Sequence, residues 1–173
     1  KGSTGTIIEG NVIFDTYHWS MGNQRAKSAI FRNNFTFHTG RKEFLQTDKA
    51  GNLQLPDGIV IGDEGGSPSF GDGATPSFYN NILANWKYMV WLRASGNYDT
   101  QMTGAYLGFN TFAFYPDVLA EVAIKIDKGQ YGDHYNNLFE NNIVYAGQGK
   151  IFTGTATGFT FRHNAFRAAP PMG

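Results

Sequence analysis

Asparagine recurs in one setting along this chain, just ahead of a short apolar or aromatic run: EGNVIF at Asn11, FRNNFTF at Asn34, FYNNILA at Asn81, LGFNTFAF at Asn110, FENNIVY at Asn142 and FRHNAFR at Asn164. A unit that returns in this way describes a chain that stacks on itself, each turn burying what its neighbour could not bury alone. The intervals between successive asparagines are 23, 47, 29, 32 and 22 residues. The shortest set the basic turn, and the longer ones are that turn plus inserted loops, which cost little closure entropy and run over the surface. A lone asparagine is a common turn residue, because it tolerates left-handed backbone and bonds nearby peptide groups. Repeated at equivalent places in stacked strands, asparagines would lie about 4.8 Å apart and pass amide hydrogen bonds up a ladder.

A second apolar run precedes most of these segments: Gly58–Gly62 (GIVIG), Met89–Arg93 (MVWLR), Val122–Asp127 (VAIKID) and Lys150–Thr153 (KIFT). Two or three short strands per turn is the pattern of a parallel β-helix. Side-chain alternation sends Ile59, Ile61, Val90, Leu92, Ile124 and Ile126 inward, and Val60, Gly62, Trp91, Arg93, Lys125 and Asp127 outward. The expected fold is therefore all-β: a right-handed parallel β-helix solenoid of about six coils with inserted loops, as one domain over 1–173. An antiparallel sandwich would instead show tight two-residue turns every 8–12 residues or so.

Residues 43–55 read as a protruding hairpin, Phe44–Thr47 and Leu53–Leu55 being joined through a turn that contains Gly51. The stretch 63–76, rich in glycine and proline, reads as a loop insertion, and further insertions run from Ser95 to Thr103 and from Phe114 to Ala120. Insertions leaving one side of a solenoid often build its binding face.

Composition agrees with a stacked-strand fold. The 22 glycines are well above the average share of roughly 7%, and the 41% of apolar residues suffices for a core. Lys plus Arg and Asp plus Glu each total 14, so no basic field points to nucleic acid. No run approaches the roughly 18 apolar residues of a membrane-crossing helix. Without cysteine there is neither a disulfide framework nor a thiolate metal site. The opening Lys1-Gly2-Ser3 leads almost directly into a core-like run, which reads as a segment of a longer polypeptide or assembly.

The segments FRNNFTF, FYNNILA and FENNIVY, with the strands GIVIGD and VAIKID ahead of them, resemble the right-handed parallel β-helix superfamily typified by pectate lyases. The resemblance covers most of the chain from Thr6 to Phe166 and implies the fold. It implies carbohydrate processing only loosely, because this scaffold hosts lyases, hydrolases, epimerases, adhesins and inert spacers. The N-T-D and G-H-G signatures of its pectin hydrolases are missing, since Asn110-Thr111 is followed by Phe112 and no G-H-G occurs. The D-P-H signature of its uronan epimerases is missing too, since Asp133-His134 lacks the proline.

A lyase of this fold removes a proton beside a uronate carboxylate, using Lys or Arg as base and positive charge or calcium to neutralise the carboxylate. On that analogy Lys125 is the candidate base, Arg93 binds a carboxylate, and Asp127 stands beside them. Trp91 and Trp86 are candidate stacking surfaces for sugar rings, and His134, in Gly132-Asp133-His134-Tyr135, is the histidine best placed to meet a substrate. The plainer account of the charged residues is cross-strand ion pairing worth a few tenths to about 1 kcal/mol. Asp57, Asp63, Glu64 and Asp72 offer oxygens of the kind calcium takes, but their spacing matches no calcium-loop motif. The histidines His18, His38, His134 and His163 form no zinc motif, so no cofactor is expected, with calcium the one metal left open.

Two functional readings follow. In one, the chain is a secreted or surface-exposed module that binds or cleaves a polysaccharide. In the other, it is a non-catalytic structural or adhesive solenoid, part of a surface, filament or fibre.

Overall fold

The computed structural model describes residues 5–24, 28–62, 75–93, 102–114, 122–128, 133–147 and 150–168. Most of the 63–76 and 114–120 insertions and of the 95–103 insertion therefore lie outside the described residues, as do Asp63, Glu64 and Asp72. The chain is all-β, with three parallel sheets of five or six strands, an arrangement consistent with a β-solenoid. The first sheet contains Ile7–Glu9, Ile30–Arg32, Ser77–Tyr79, Tyr106–Gly108, Asn137–Glu140 and Phe159–Arg162. The second contains Val12–Phe14, Phe35–Phe37, Ile82–Ala84, Thr111–Ala113, Ile143–Gly147 and Ala165–Ala168. The third contains Trp19–Gln24, Asp57–Gly62, Tyr88–Arg93, Val122–Ile126 and Lys150–Gly154.

The chain visits the first, second and third sheets in turn and returns to the first one strand further along. Register then stacks like residues in columns. Phe31, Phe78, Leu107 and Phe139 follow one another in the first sheet. Thr36, Leu83, Phe112 and Val144 do so in the second, and Ile59, Val90 and Ile124 in the third. All of these are at most 1% exposed. Burying each large apolar side chain stabilises the fold by about 1.5–3 kcal/mol. Aromatic stacking adds to this where rings meet in register, as Phe31 and Phe78 do at 5.0 Å.

The corner between the first and second sheets explains the asparagine doublets. Gly10, Asn33, Asn80, Phe109, Asn141 and His163 each take left-handed backbone, with φ between 53° and 68°. The residue after each is the repeating asparagine, so the first member of an Asn-Asn pair turns the chain and the second builds the ladder. In that ladder the backbone N–H and the Nδ2 of each asparagine both donate to Oδ1 of the next. The series runs from Asn11 through Asn34, Asn81, Asn110 and Asn142 to Asn164, at 2.9–3.1 Å. Each Nδ2 also reaches a strand carbonyl, for example Asn110 to Phe78 at 2.9 Å. The four buried ladder amides, at Asn34, Asn81, Asn110 and Asn142, are thus all satisfied.

One pair of strands outside the three sheets is antiparallel: Gln46–Thr47 against Leu53–Gln54. Asp48 closes its turn, Oδ1 accepting from the N–H groups of Ala50 and Asn52 at 2.8 Å each. Lys87 Nζ donates to Gln54 Oε1 at 2.6 Å, tying this hairpin to the start of Tyr88–Arg93, the central strand of the third sheet.

Candidate functional site

On the outer side of the third sheet, Trp91 and Lys125 are register partners on adjacent strands. The N–H of Asp127 donates to the Leu92 carbonyl at 3.0 Å, which carries the register one place further and sets Asp127 beside Arg93. The four residues therefore meet, and they satisfy one another. Trp91 Nε1 donates to Asp127 Oδ2 at 3.0 Å. Lys125 Nζ lies 4.0 Å from Asp127 Oδ1. The same ammonium sits 4.1 Å from the Trp91 ring centre and 4.5 Å from that of Tyr88. The Arg93 guanidinium stands 4.8 Å from the Trp91 ring, and Tyr88 packs edge-on to Trp91 at 5.3 Å.

Cation–π contacts of this kind are worth about 0.5–1 kcal/mol at exposed sites and more when desolvated. They draw on the charge of the ammonium and on the face of the indole, the features that a base and a sugar platform would need to offer outward. The arrangement is a self-paired charged cluster. Lys125 and Asp127 retain only 23% and 14% side-chain exposure.

Two expected contact residues are corrected by their burial. Trp86 is fully buried, and its Nε1 donates to Thr36 Oγ1 at 3.0 Å, so it packs the core instead of stacking on a ligand. Its polar neighbours Asn85 and Lys87 suggested a surface position. Asn85, however, takes left-handed backbone (φ 59°) at the preceding residue. His134 is 2% exposed. Its Nδ1 accepts from the Met102 N–H at 3.0 Å and its Nε2 stands 2.8 Å from the Asp127 carbonyl, which fixes the proton on Nε2. That ring bridges two backbone segments and does not reach a substrate. Among the described residues no group of three or more acidic or histidine side chains could hold a metal, and no helix is long and apolar enough to cross a membrane.

One outward row of the first sheet, Glu9, Arg32, Tyr79, Gly108, Glu140 and Arg162, is polar and paired. Arg32 Nη1 donates to the Tyr79 hydroxyl at 3.0 Å, and Arg162 Nε donates to Glu140 Oε2 at 2.6 Å. The Glu140 carboxyl is held below its usual range chiefly by its hydrogen bond from Arg162, then by that residue's charge and by a bond from Tyr106. The Tyr106 hydroxyl is pushed up from 10.0, first by burial and then by the charge of Glu140 and the bond to it.

The second sheet differs. Its inward column is Ile13, Thr36, Leu83, Phe112, Val144 and Phe166, so the residues flanking each of these face out. One outward row is Val12, Phe35, Ile82, Thr111, Ile143 and Ala165; the other is Phe14, Phe37, Ala84, Ala113, Tyr145 and Arg167. Charge first enters at Arg167. Val12, Phe14, Ile82 and Ile143 are 65%, 59%, 47% and 55% exposed. Between the larger side chains the two alanines leave a trough of about 510 Å³, lined by Phe35, Phe37, Ile82, Ala84, Ala113, Phe114 and Tyr145. The Phe14 and Phe37 rings stack on each other at 5.5 Å and 15°, and Phe35 and Phe37 at 5.2 Å and 27°. The rings therefore spend their faces on one another.

This surface is the feature that sequence reasoning missed. Its signal was present in the flanks of each asparagine segment (V-I-F, F-T-F, I-L-A, T-F-A, I-V-Y), where the first and third residues stay uncharged, and apolar but for Thr111 and the hydroxyl of Tyr145, although only the middle one is needed inside. A contiguous apolar face on a folded chain marks an interaction surface. No protein family, curated protein or solved structure matches the chain.

Proposed function

We propose that this chain is a right-handed parallel β-helix of about six coils serving, outside the cell, as a non-catalytic structural or adhesive solenoid. In this reading the outer face of the second sheet packs against another polypeptide. Right-handedness is supported by the cyclic order of the sheets, since parallel strands joined by crossovers take that hand in about 98% of cases. The coil number is supported by the asparagine series from Asn11 to Asn164.

The observation that carries the functional reading is the uncharged outer face running from Val12 to Tyr145, with Val12, Phe14, Ile82 and Ile143 about half exposed or more. Water-exposed apolar area of this extent is retained where something covers it. The stacked rings present edges outward, a surface suited to side-chain packing. The expected result is that an apolar fluorescent dye binds the folded protein and that Ile82→Lys with Ile143→Lys abolishes the binding at an almost unchanged unfolding midpoint. Incubation with uronan polymers should generate no absorbance of unsaturated ends. Absence of dye binding, or turnover of any of those polymers, would overturn the reading.

A second reading takes a polysaccharide as the partner, on the third sheet. Arg93 and Lys125 stand over the Trp91 ring there beside Asp127, a mixed cationic and aromatic surface of the kind that suits an anionic sugar. In its catalytic form Lys125 is the base, Arg93 holds a carboxylate and calcium is the ion it would recruit. Loss of uronan binding on Lys125→Ala, measured by calorimetry, would support this second partner, and unchanged binding would remove it.

A further inference from the structure

We propose that the polypeptide covering the second sheet is a second copy of this chain, the two packing face to face about a two-fold axis that lies in the interface parallel to the strands. The proposal rests on the reading of that face as a protein-packing surface and adds the identity of the partner. Two observations point to it, and a third bounds its strength.

The first is the order of large and small residues along one outward row. Phe14, Phe37, Ala84 and Ala113 are consecutive register partners, so two rings are followed by two methyl groups. A two-fold axis between the Phe35–Phe37 and Ile82–Ala84 strands reverses that order in the facing copy. It sets Phe37 against the partner's Ala84 and Phe14 against the partner's Ala113, while in the other row Phe35 meets the partner's Ile82. In the first row each ridge meets a hollow, and the trough of about 510 Å³ supplies the room for a ring. An isologous contact demands this self-complementarity, because residue i must suit j while j suits i.

The second is charge. The outward residues of these four strands carry none, and the chain is neutral overall, with 14 basic and 14 acidic residues. A copy of itself therefore brings no repulsion to the contact. Arg167, the first charged residue of the face, falls beyond the four strands that overlap.

The third is area. Four strands at about 4.8 Å and three residues at about 3.3 Å make a strip of roughly 200 Å² per copy, below the area of a standard stable interface, so the contact expected is weak. The expected association is reversible and populated towards the upper end of a sub-millimolar concentration range.

Sedimentation equilibrium of the chain across roughly 1–300 μM tests this. Wild type should show a monomer–dimer equilibrium. Phe37→Ala and Ala84→Phe should each weaken it at least about tenfold, by emptying the ridge or filling the hollow. The double variant Phe37→Ala with Ala84→Phe exchanges ridge and hollow and should restore dimerisation, which a contact with an unrelated partner would not do. Circular dichroism confirms that each variant folds. A protein that is monomeric throughout, a dimer indifferent to both single substitutions, or a double variant that is not rescued would overturn the proposal. Apolar-dye binding separates the two levels of inference. A monomer that still binds dye in an Ile82-dependent manner overturns self-association and leaves the face to a different polypeptide. A monomer that binds no dye overturns both.

Discussion

The Asn81 backbone N–H and its Nδ2 both end on Oδ1 of Asn110, at 3.0 Å each, although 29 residues separate the two in sequence. Asn110 passes the same pair of bonds to Asn142 and lends its second amide proton to the Phe78 carbonyl. Both residues are 1% exposed. Replacing Asn110 by Ala therefore strands both donors of Asn81 and removes the Nδ2 bond to the Phe78 carbonyl where water cannot reach them, while Asn142 Oδ1 keeps the backbone N–H of residue 110. We expect Asn110→Ala to cost about 3–5 kcal/mol, read as a fall in the urea midpoint at constant slope. Asn11→Ala, at an exposed rung, should cost less than about 1 kcal/mol. Equal losses at the two rungs would show that the amides do not act through burial.

Phe109 holds the ladder-corner position that Asn33, Asn80 and Asn141 hold elsewhere, and it does so with φ 56°. Left-handed backbone costs a residue with a β-carbon about 1–2 kcal/mol, and asparagine bears that cost best because its short amide bonds locally. The Phe109 ring is 56% exposed, so it recovers little through burial. Phe109→Asn is expected to stabilise the chain by about 1 kcal/mol, raising the thermal midpoint by about 2–4 °C. A lower midpoint would show that the ring has a packing role that outweighs its backbone strain.

The repeat and its ladder are legible in the sequence because one residue type returns beside the same apolar run, and stacking makes the consequence local. The pairing of Trp91 with Lys125 is legible for a related reason: strands anchored to equivalent corners share a register. Trp86 is not legible. Nothing in N-W-K announces that Asn85 turns the chain and delivers the indole to Thr36. The apolar face of the second sheet is hidden by the ordinary assumption that consecutive apolar residues are core, whereas a three-residue strand places only its middle residue inside. Neither the identity of whatever covers that face nor the hand of the winding is written in any single segment.

His38 is fully buried and its proton count is set by its neighbours. The Gly40 N–H donates to Nδ1 at 2.9 Å, and Nε2 stands 3.2 Å from the Phe44 carbonyl, so the neutral ring joins the second sheet to the segment that follows it. Burial pushes the imidazole below its usual 6.5, with the Phe44 carbonyl and Asp15 opposing. The unfolded chain thus takes up a proton that the folded chain resists. Its contribution to stability is complete above about pH 6.5 and is lost as pH falls from there towards the lowered folded value. Urea midpoints at pH 7.5 and 5.5 should differ more in wild type than in His38→Gln. An identical pH response in the two would remove His38 as the source.

Gly108 and Tyr106 lie two residues apart on one strand, and a β-carbon at Gly108 would stand 2.1 Å from the Tyr106 hydroxyl oxygen. The glycine is what lets the phenol lie flat over its own strand and reach Glu140, which Arg162 in turn holds. Gly108→Ala must swing the ring outward. The loss of that charged hydrogen bond outweighs what a Gly→Ala change gains from the unfolded state. The Tyr106 hydroxyl, raised by burial and by Glu140, should then titrate closer to 10.0. Ultraviolet difference titration against Tyr106→Phe isolates this one phenol among the nine tyrosines. The matching stability experiment is a double-mutant cycle, in which Gly108→Ala destabilises wild type but is neutral or stabilising once Tyr106 is Ala. If Gly108→Ala costs the same in both backgrounds, the glycine serves the backbone and the ring is a bystander.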